Sequence, residues 1–390
     1  STVNGGADLI TTGLGRDIIM GGTGADDITS NLGEVVGAYD ASDIGIGDFA
    51  EMEFFIPAGK EIPTRITSVG ELDGGDDIIT TGAGADIIIG GTGGDTINAG
   101  ADNDLIFGDY AEITGTIRVE DLPIGAGRIF DFTSRSTTAA DLGGDDTIIG
   151  GAGDDTILGQ TGNDVIFGNS GDDDIIGGHN VDRDQNGGLA YDGDDRIDAG
   201  AGDDVVLGDN GTIYRTFALN DPRIRMLEGT LIYGITPGVD DGVALVTNIA
   251  QLNPDMTVQR LITIFDHGDN ANPLEYGNDV IAGGAEDDMI FGQMGDDIIQ
   301  GDGTTDFIDG IDAGASRDPI TGLLNVNPSV EDYLGVGRDG DDYIEGNGGN
   351  DVIFGNLGQD DIIGGSSNLF AGLGGNNTNR PDGSDLIFGG

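Results

Sequence analysis

The chain has 390 residues and a formal net charge of −57, from 72 acidic against 15 basic residues. Such a polyanion offers no basic patch for nucleic-acid phosphates or an anionic membrane surface, so both are excluded as partners. There is no cysteine, hence no disulfide framework, and no apolar run approaches the roughly 20 residues of a membrane-spanning helix.

In chain order, residues 1–28 establish a nine-residue period, G-x-D-x-I, with Asp8, Asp17 and Asp26 in step. Residues 29–72 interrupt it, and Met52–Pro57 and Ile62–Val69 around a Gly-Lys turn read as a β-hairpin. The period returns over 73–107 at Asp77, Asp86, Asp95 and Asp104. A second hairpin insertion covers 108–142, with candidate strands at 112–119 and 128–132. The repeats at 143–208 carry Asp146, Asp155, Asp164, Asp173, Asp195 and Asp204, broken by a short loop at 177–192. A long hairpin insertion fills 209–275, with candidate strands at 227–235 and 258–265. Repeats follow at 276–310 (Asp279, Asp288, Asp297, Asp306), then a loop insertion at 311–338 and repeats at 339–363 (Asp342, Asp351, Asp360). A loop and a terminal repeat at Asp385 occupy 364–390. Three insertions begin alike, with Gly47-Asp48, Gly108-Asp109 and Gly208-Asp209. The phase runs at both ends from a first residue that is not Met, which reads as a piece of a longer protein.

One copy, Gly150 to Leu158, shows what the nine positions do. Positions one to six are glycine and short polar residues, which turn tightly. Positions seven to nine are aliphatic or β-branched and form a short strand. Turn, strand, turn, strand closes a coil in about 18 residues, and coils stack through parallel strands roughly 4.8 Å apart. The fold class is therefore all-β, a parallel β-solenoid of nonapeptide repeats with β-hairpin insertions. Position eight is nearly always isoleucine, as at Ile79, Ile88, Ile148 and Ile157, and should point inward from both sheets to a thin apolar core. Position six is always aspartate. Alternate copies stack, so Asp77 should lie over Asp95 and Asp86 over Asp104.

Unpaired columns of carboxylates repel. A hard divalent cation between coils, taking carboxylate and turn carbonyl oxygens, reconciles them, and calcium's six-to-eight-oxygen shell suits this better than magnesium's rigid octahedron. With two histidines and no cysteine, zinc and copper ladders are excluded. The pattern G-G-x-G-x-D-x-U-x, matched in full at 150–158, resembles the calcium-binding repeat of the RTX, or hemolysin-type, family. The resemblance implies a β-roll in which turn aspartates and carbonyls bind several Ca²⁺ ions between coils. The position-six aspartates, 21 in number from Asp8 to Asp385, are the expected ligands. Position four departs from glycine at Asp102, Glu286 and Thr304, which puts those turns in question.

Other features stand outside the repeat. Asp182-Arg183-Asp184-Gln185-Asn186-Gly187 opens like an EF-hand loop, so Asp182, Asp184 and Asn186 are candidates for an additional calcium site or an Asx turn. His179 and His267 read as ordinary loop residues, and Asn210 and Asn376 head weak N-x-T glycosylation signals. Outward positions seven and nine are apolar at Leu105/Phe107, Val165/Phe167, Met289/Phe291, Val352/Phe354 and Leu386/Phe388, a stripe that calls for a cover: the hairpins, or a neighbouring subunit. There is no G-x-S-x-G, H-E-x-x-H, cysteine nucleophile or phosphate loop, so the segment is read as non-enzymatic.

The expectation is a calcium-binding structural protein, extracellular or at the cell surface, that folds on meeting calcium. The resemblance implies type I secretion. The chain is read as a stalk, fibre-forming or adhesive segment of a matrix or surface protein, with end-to-end self-association or a glycan or cell-surface ligand. The alternative is the calcium-triggered folding or secretion module of a larger RTX toxin or secreted enzyme.

Overall fold

The computed structural model describes residues 5–30, 42–55, 62–70, 74–115, 117, 130–135, 143–181, 191–219, 232–233, 244–246, 258–265, 272–305, 313–327, 340–358, 360–367 and 382–389. The predicted EF-hand-like residues Asp182, Asp184 and Asn186 lie outside them, as do Asp306, His267 and Asn376. Among the described residues there is no helix long and apolar enough to cross a membrane.

Successive repeats go alternately to two parallel sheets, one of eleven strands and one of ten. The register keeps like over like. Ile148 pairs with Ile97 and Ile166 in the first sheet, and Ile106 with Ile88 and Ile157 in the second. A nine-residue copy cannot close a coil by itself, so its neighbour in sequence takes the opposite wall and its neighbour but one stacks upon it. The position-eight side chains meet between the walls: Ile28, Ile79, Ile88, Ile97, Ile148, Ile157 and their counterparts to Ile353 form one buried cluster. Burying an isoleucine contributes roughly 1.5–3 kcal/mol. Ordering the other residues of the coil costs about 1–2 kcal/mol each, so the apolar core alone cannot hold the roll.

The ten-stranded sheet contains one strand outside the predicted repeats, Ile44–Ile46, which pairs with Ile18–Met20 and Ile87–Ile89 inside the segment expected to be a pure insertion. Its copy has Gly45 at the inward position, and the methyl groups of Ile79 and Thr81 occupy the space that the missing side chain leaves.

The first two hairpins form as expected, with shifted ends: Phe49–Phe55 against Ile62–Val69, and Ala111–Gly115 against Phe130–Ser134. They then join each other, Glu112 pairing with Thr67 and Thr114 with Arg65, into one four-stranded antiparallel sheet. Arg65 bridges Glu112 at 3.0 Å and Glu53 at 3.6 Å across it. In the long insertion the candidate strand at 258–265 forms as Val258–Ile264 and pairs with Gly211–Leu219, while most of the other candidate, 227–235, lies outside the described residues. Within a second compact unit that spans 214–261, the described residues Ile232–Tyr233 pair with Ala244–Val246. The insertion expected as a loop at 311–338 contains a hairpin, Gly314–Arg317 with Leu324–Asn327.

The apolar outer stripe is largely covered within the chain. Leu105 and Phe107 are fully buried, and Phe132 of the second hairpin meets Phe107 edge to face at 5.8 Å. Phe291 is buried beside Tyr343, and Val352 and Phe354 pack with Ala313 of an insertion. Phe354 and Phe388 stack at 4.8 Å along the column.

Candidate metal centre

Each turn places its position-six aspartate by a backbone hydrogen bond. The N–H of position six in one coil donates to Oδ1 of position six in the next: Asp77 to Asp95 at 2.7 Å, Asp146 to Asp164 at 2.8 Å, Asp155 to Asp173 at 2.7 Å. Extended along the roll, these bonds make two ladders. One runs through Asp8, Asp26, Asp77, Asp95, Asp146, Asp164, Asp195, Asp279, Asp297, Asp351 and Asp385. The other runs through Asp17, Asp43, Asp86, Asp104, Asp155, Asp173, Asp204, Asp288, Asp342 and Asp360. Every predicted position-six aspartate among the described residues is a rung. Asp43 joins them although the periodic reading passed over it, and the second ladder steps from Asp288 directly to Asp342.

The second carboxylate oxygen has a different fate. Oδ2 of Asp26, Asp77, Asp95, Asp146, Asp164, Asp195, Asp279, Asp297 and Asp351 is buried and accepts no hydrogen bond, and so is that of Asp104 and Asp288. Apart from Asp104, in whose turn Ala99 takes the first position, these oxygens face a glycine. A Cβ added at Gly90 would fall under 3.0 Å from both Asp95 Oδ2 and the Gly108 carbonyl, and one at Gly159 from both Asp164 Oδ2 and the Gly177 carbonyl. Glycine leaves room there for the two oxygens of adjoining coils that converge on that spot, although Ala99 and Ala199 stand at the equivalent place in two other turns.

Burial dominates the electrostatics. It pushes the carboxyls of Asp164 and Asp279 up to about 8, with hydrogen bonds from Asp146 and Asp195 pulling the other way, and those of Asp77 and Asp351 up to about 7. Asp146 is raised well above its ordinary value by burial and then by Asp164, Asp109 and Asp95. Asp288 is raised in the same way by burial, Asp204 and Asp342. The charges that bear on these groups are other carboxylates.

The arrangement suits a hard cation. At Asp95 and Asp164, for example, a buried carboxylate oxygen that accepts no hydrogen bond stands beside a carbonyl of the adjoining coil. Among the described residues no three acidic or histidine side chains share one point, so backbone carbonyls and water must supply much of the shell, as calcium accepts and softer metals do not.

Two further devices escaped the sequence reading. Position five forms its own ladder, running in the opposite sense: Asn163 N–H donates to Asp145 at 2.8 Å, Asp194 N–H to Asn163, and Asn278 N–H to Asp194. On this side Asp145, Asn163, Asp194, Asn278, Asp296 and Asn350 alternate, and each asparagine Nδ2 also donates to the aspartate before it. Alternation halves the charge of an exposed column. The repeated Gly-Asp at insertion starts also has a purpose. Asp109 accepts N–H from Gly144, where the chain returns, and from Thr161 of the next coil; Asp209 accepts from Gly277 and Met294 in the same way. Gln160 and Gln293 accept the N–H of Asp109 and Asp209 in turn. Asp302 likewise accepts the N–H of Gly340, where the chain returns after the insertion at 311–338.

The position-four departures at Asp102 and Glu286 leave the ladders intact, while the aspartate that follows Thr304, Asp306, lies outside the described residues. Asp102 and Glu286 adopt the left-handed conformation, with φ of 73° and 81°, and Asp104 and Asp288 keep their rungs. His179 is fully buried, its Nε2 3.2 Å from Thr161 Oγ1, and burial lowers its ring to about 3, so it stays neutral. Asn210 is also fully buried; its Oδ1 accepts N–H from His179 and its Nδ2 donates to the Glu275 carbonyl. It cannot serve as a glycan acceptor in the folded chain.

The repeat geometry agrees with the chain's match to known families. The family model described as RTX calcium-binding nonapeptide repeat (4 copies) matches residues 2–34, 72–109, 141–175, 189–212, 275–308 and 336–378. The chain belongs to the RTX calcium-binding nonapeptide-repeat family. As in that family, its cofactor is Ca²⁺ at multiple sites, and the two sheets are the walls of an RTX β-roll. No curated protein matches the chain.

Proposed function

We propose that this RTX chain is an extracellular structural segment whose roll assembles around calcium held between successive coils. The ligands are Oδ2 of the position-six aspartates and the turn carbonyls that converge on the same glycines. The observation that carries the reading is the column of buried Oδ2 atoms with no hydrogen-bond donor, continuing for nine rungs of one ladder from Asp26 to Asp351. A buried, unpaired carboxylate is strongly unfavourable and a column of them more so. A divalent ion between rungs removes both penalties.

In a calcium-poor cytoplasm the chain stays unfolded and fit for export by a type I route. At roughly millimolar calcium outside the cell, binding drives folding by mass action. A load-bearing or spacing role in a matrix or surface protein is favoured over a subunit interface on the Phe107 side, because the chain's own hairpin covers that residue. Contacts with a glycan or a second copy would use other surfaces, such as the exposed Phe54 and Phe55 of the hairpin sheet. Small-angle and light scattering of the full chain, in chelator and then in calcium, test this. Contraction of an expanded monomer is expected, with further growth if the segment builds fibres. Unchanged dimensions would refute calcium-driven folding.

A further inference from the structure

The loop expected at 177–192 leaves the roll after the strand Asp174–Ile176 and rejoins it at Asp192-Gly193-Asp194-Asp195. Its exit differs from those at Asp109 and Asp209. The position that holds an aspartate there is Gly178 here. The carboxylate arrives from the returning strand instead: a Cβ at Gly178 would fall 2.5 Å from Asp192 Oδ2. Asp192 Oδ1 accepts the N–H of Gly193 at 2.9 Å, while Oδ2 is buried and accepts none.

Asp109 and Asp209 each use both oxygens on backbone N–H groups, and the Asp209 carboxyl also meets the Asp192 side chain. The neighbouring residue, Gly177, is the spot on which Asp195 Oδ2 and the Gly208 carbonyl converge, and Asp195 is 2% exposed with its Oδ2 also lacking a donor. Two buried carboxylate oxygens that accept no N–H or O–H are thus directed at adjacent glycines of one turn, and the Asp209 carboxyl lies against the Asp192 side chain as well. The charges that bear on Asp192 after burial are those of Asp195, Asp209 and Asp279, all negative.

Resting on the calcium reading above, we propose that Asp192 is an off-repeat calcium ligand, making the Asp195 position a two-carboxylate site. The repeat pattern assigns no side-chain role to position three, which Asp192 occupies. Ordinary rungs bring one buried Oδ2 to the ion. Calcium affinity rises with the number of charged ligands, so this site fills first and pins the chain at Asp192, where it rejoins the roll, before the rest of the ladder is complete.

The test is a terbium and calcium titration of the full chain, with Tyr191, next to Asp192, as the sensitiser of terbium emission. The wild type is expected to show about one ion per chain bound at least tenfold more tightly than the rest. Asp192→Asn should abolish that class and leave the later part of the isotherm in place, while Asp194→Asn, on the exposed position-five ladder, should not. Tyr191→Phe, which keeps every ligand, should remove the earliest sensitised emission, and it decides the matter if Asp192→Asn fails to fold. Superimposable isotherms for wild type and a folded Asp192→Asn, or early emission unchanged in Tyr191→Phe, would overturn the proposal. A wild-type chain that binds no calcium would instead refute the underlying reading.

Discussion

Asp164→Asn is expected to act with opposite sign in the presence and absence of calcium. Asp164 Oδ1 accepts the Asp146 N–H at 2.8 Å, a bond that an amide oxygen preserves. Its Oδ2 is buried without a donor, and burial raises the carboxyl from 3.8 to about 8. A folded-state value above the unfolded one means that this group favours metal-free folding at low pH. That advantage is lost as pH rises from near 3.8 toward 8, because the unfolded chain sheds the proton first. At pH 7 roughly three pH units have been forfeited, about 4 kcal/mol at 1.36 kcal/mol per unit. The amide carries no such penalty, so in chelator Asp164→Asn should shift the pH at which the roll melts upward. In calcium the same change removes a charged ligand and should raise the calcium midpoint for folding at pH 7 by about tenfold or more. Far-UV circular dichroism against pH in chelator, and against calcium at pH 7, reads both effects. A variant destabilised equally in both conditions would refute the reasoning, since the carboxylate would then be needed for something other than metal.

Other expectations follow from single contacts. Gly90→Ala drives a Cβ against Asp95 Oδ2 and the Gly108 carbonyl and should cost about 3 kcal/mol or more in calcium; Gly6→Ala, with nothing within 4 Å, should be nearly neutral in the same urea melts. Glu286→Gly relieves a left-handed residue at φ 81° and should stabilise by about 1 kcal/mol, read as a higher melting temperature. Phe132→Ala uncovers Phe107 and should cost about 3 kcal/mol, with faster hydrogen exchange in the 111–115 and 130–134 strands.

The roll was legible because its determinants are local. A period of nine, an inward isoleucine and a turn aspartate decide which copies stack, and parity alone assigns Asp77 with Asp95 and Asp86 with Asp104. Asp43 escaped because its copy lacks the marks that make the others visible: alanine stands at position four and Gly45 replaces the inward isoleucine. The insertion closures escaped for another reason. Gly-Asp at 108–109 is plain in the sequence, but its meaning lies in Gly144 and Thr161, far along the chain and dependent on where the hairpin returns. The merger of two hairpins through Glu112 and Thr67 is likewise set by their common departure from one side of the roll, not by any pattern within either. The alternation of aspartate and asparagine at position five was visible as letters. Only stacking shows that those letters touch.

On the function proposed above, the buried position-six oxygens are calcium ligands and the roll depends on them. The most direct test follows bound calcium by equilibrium dialysis and folding by circular dichroism on the same samples of full-length chain at pH 7, from chelator to about 10 mM calcium, with magnesium as control. The two signals should rise together, starting from a chain without parallel-sheet structure, and magnesium should produce neither. A chain already folded in chelator, with its spectrum indifferent to calcium, would contradict the account.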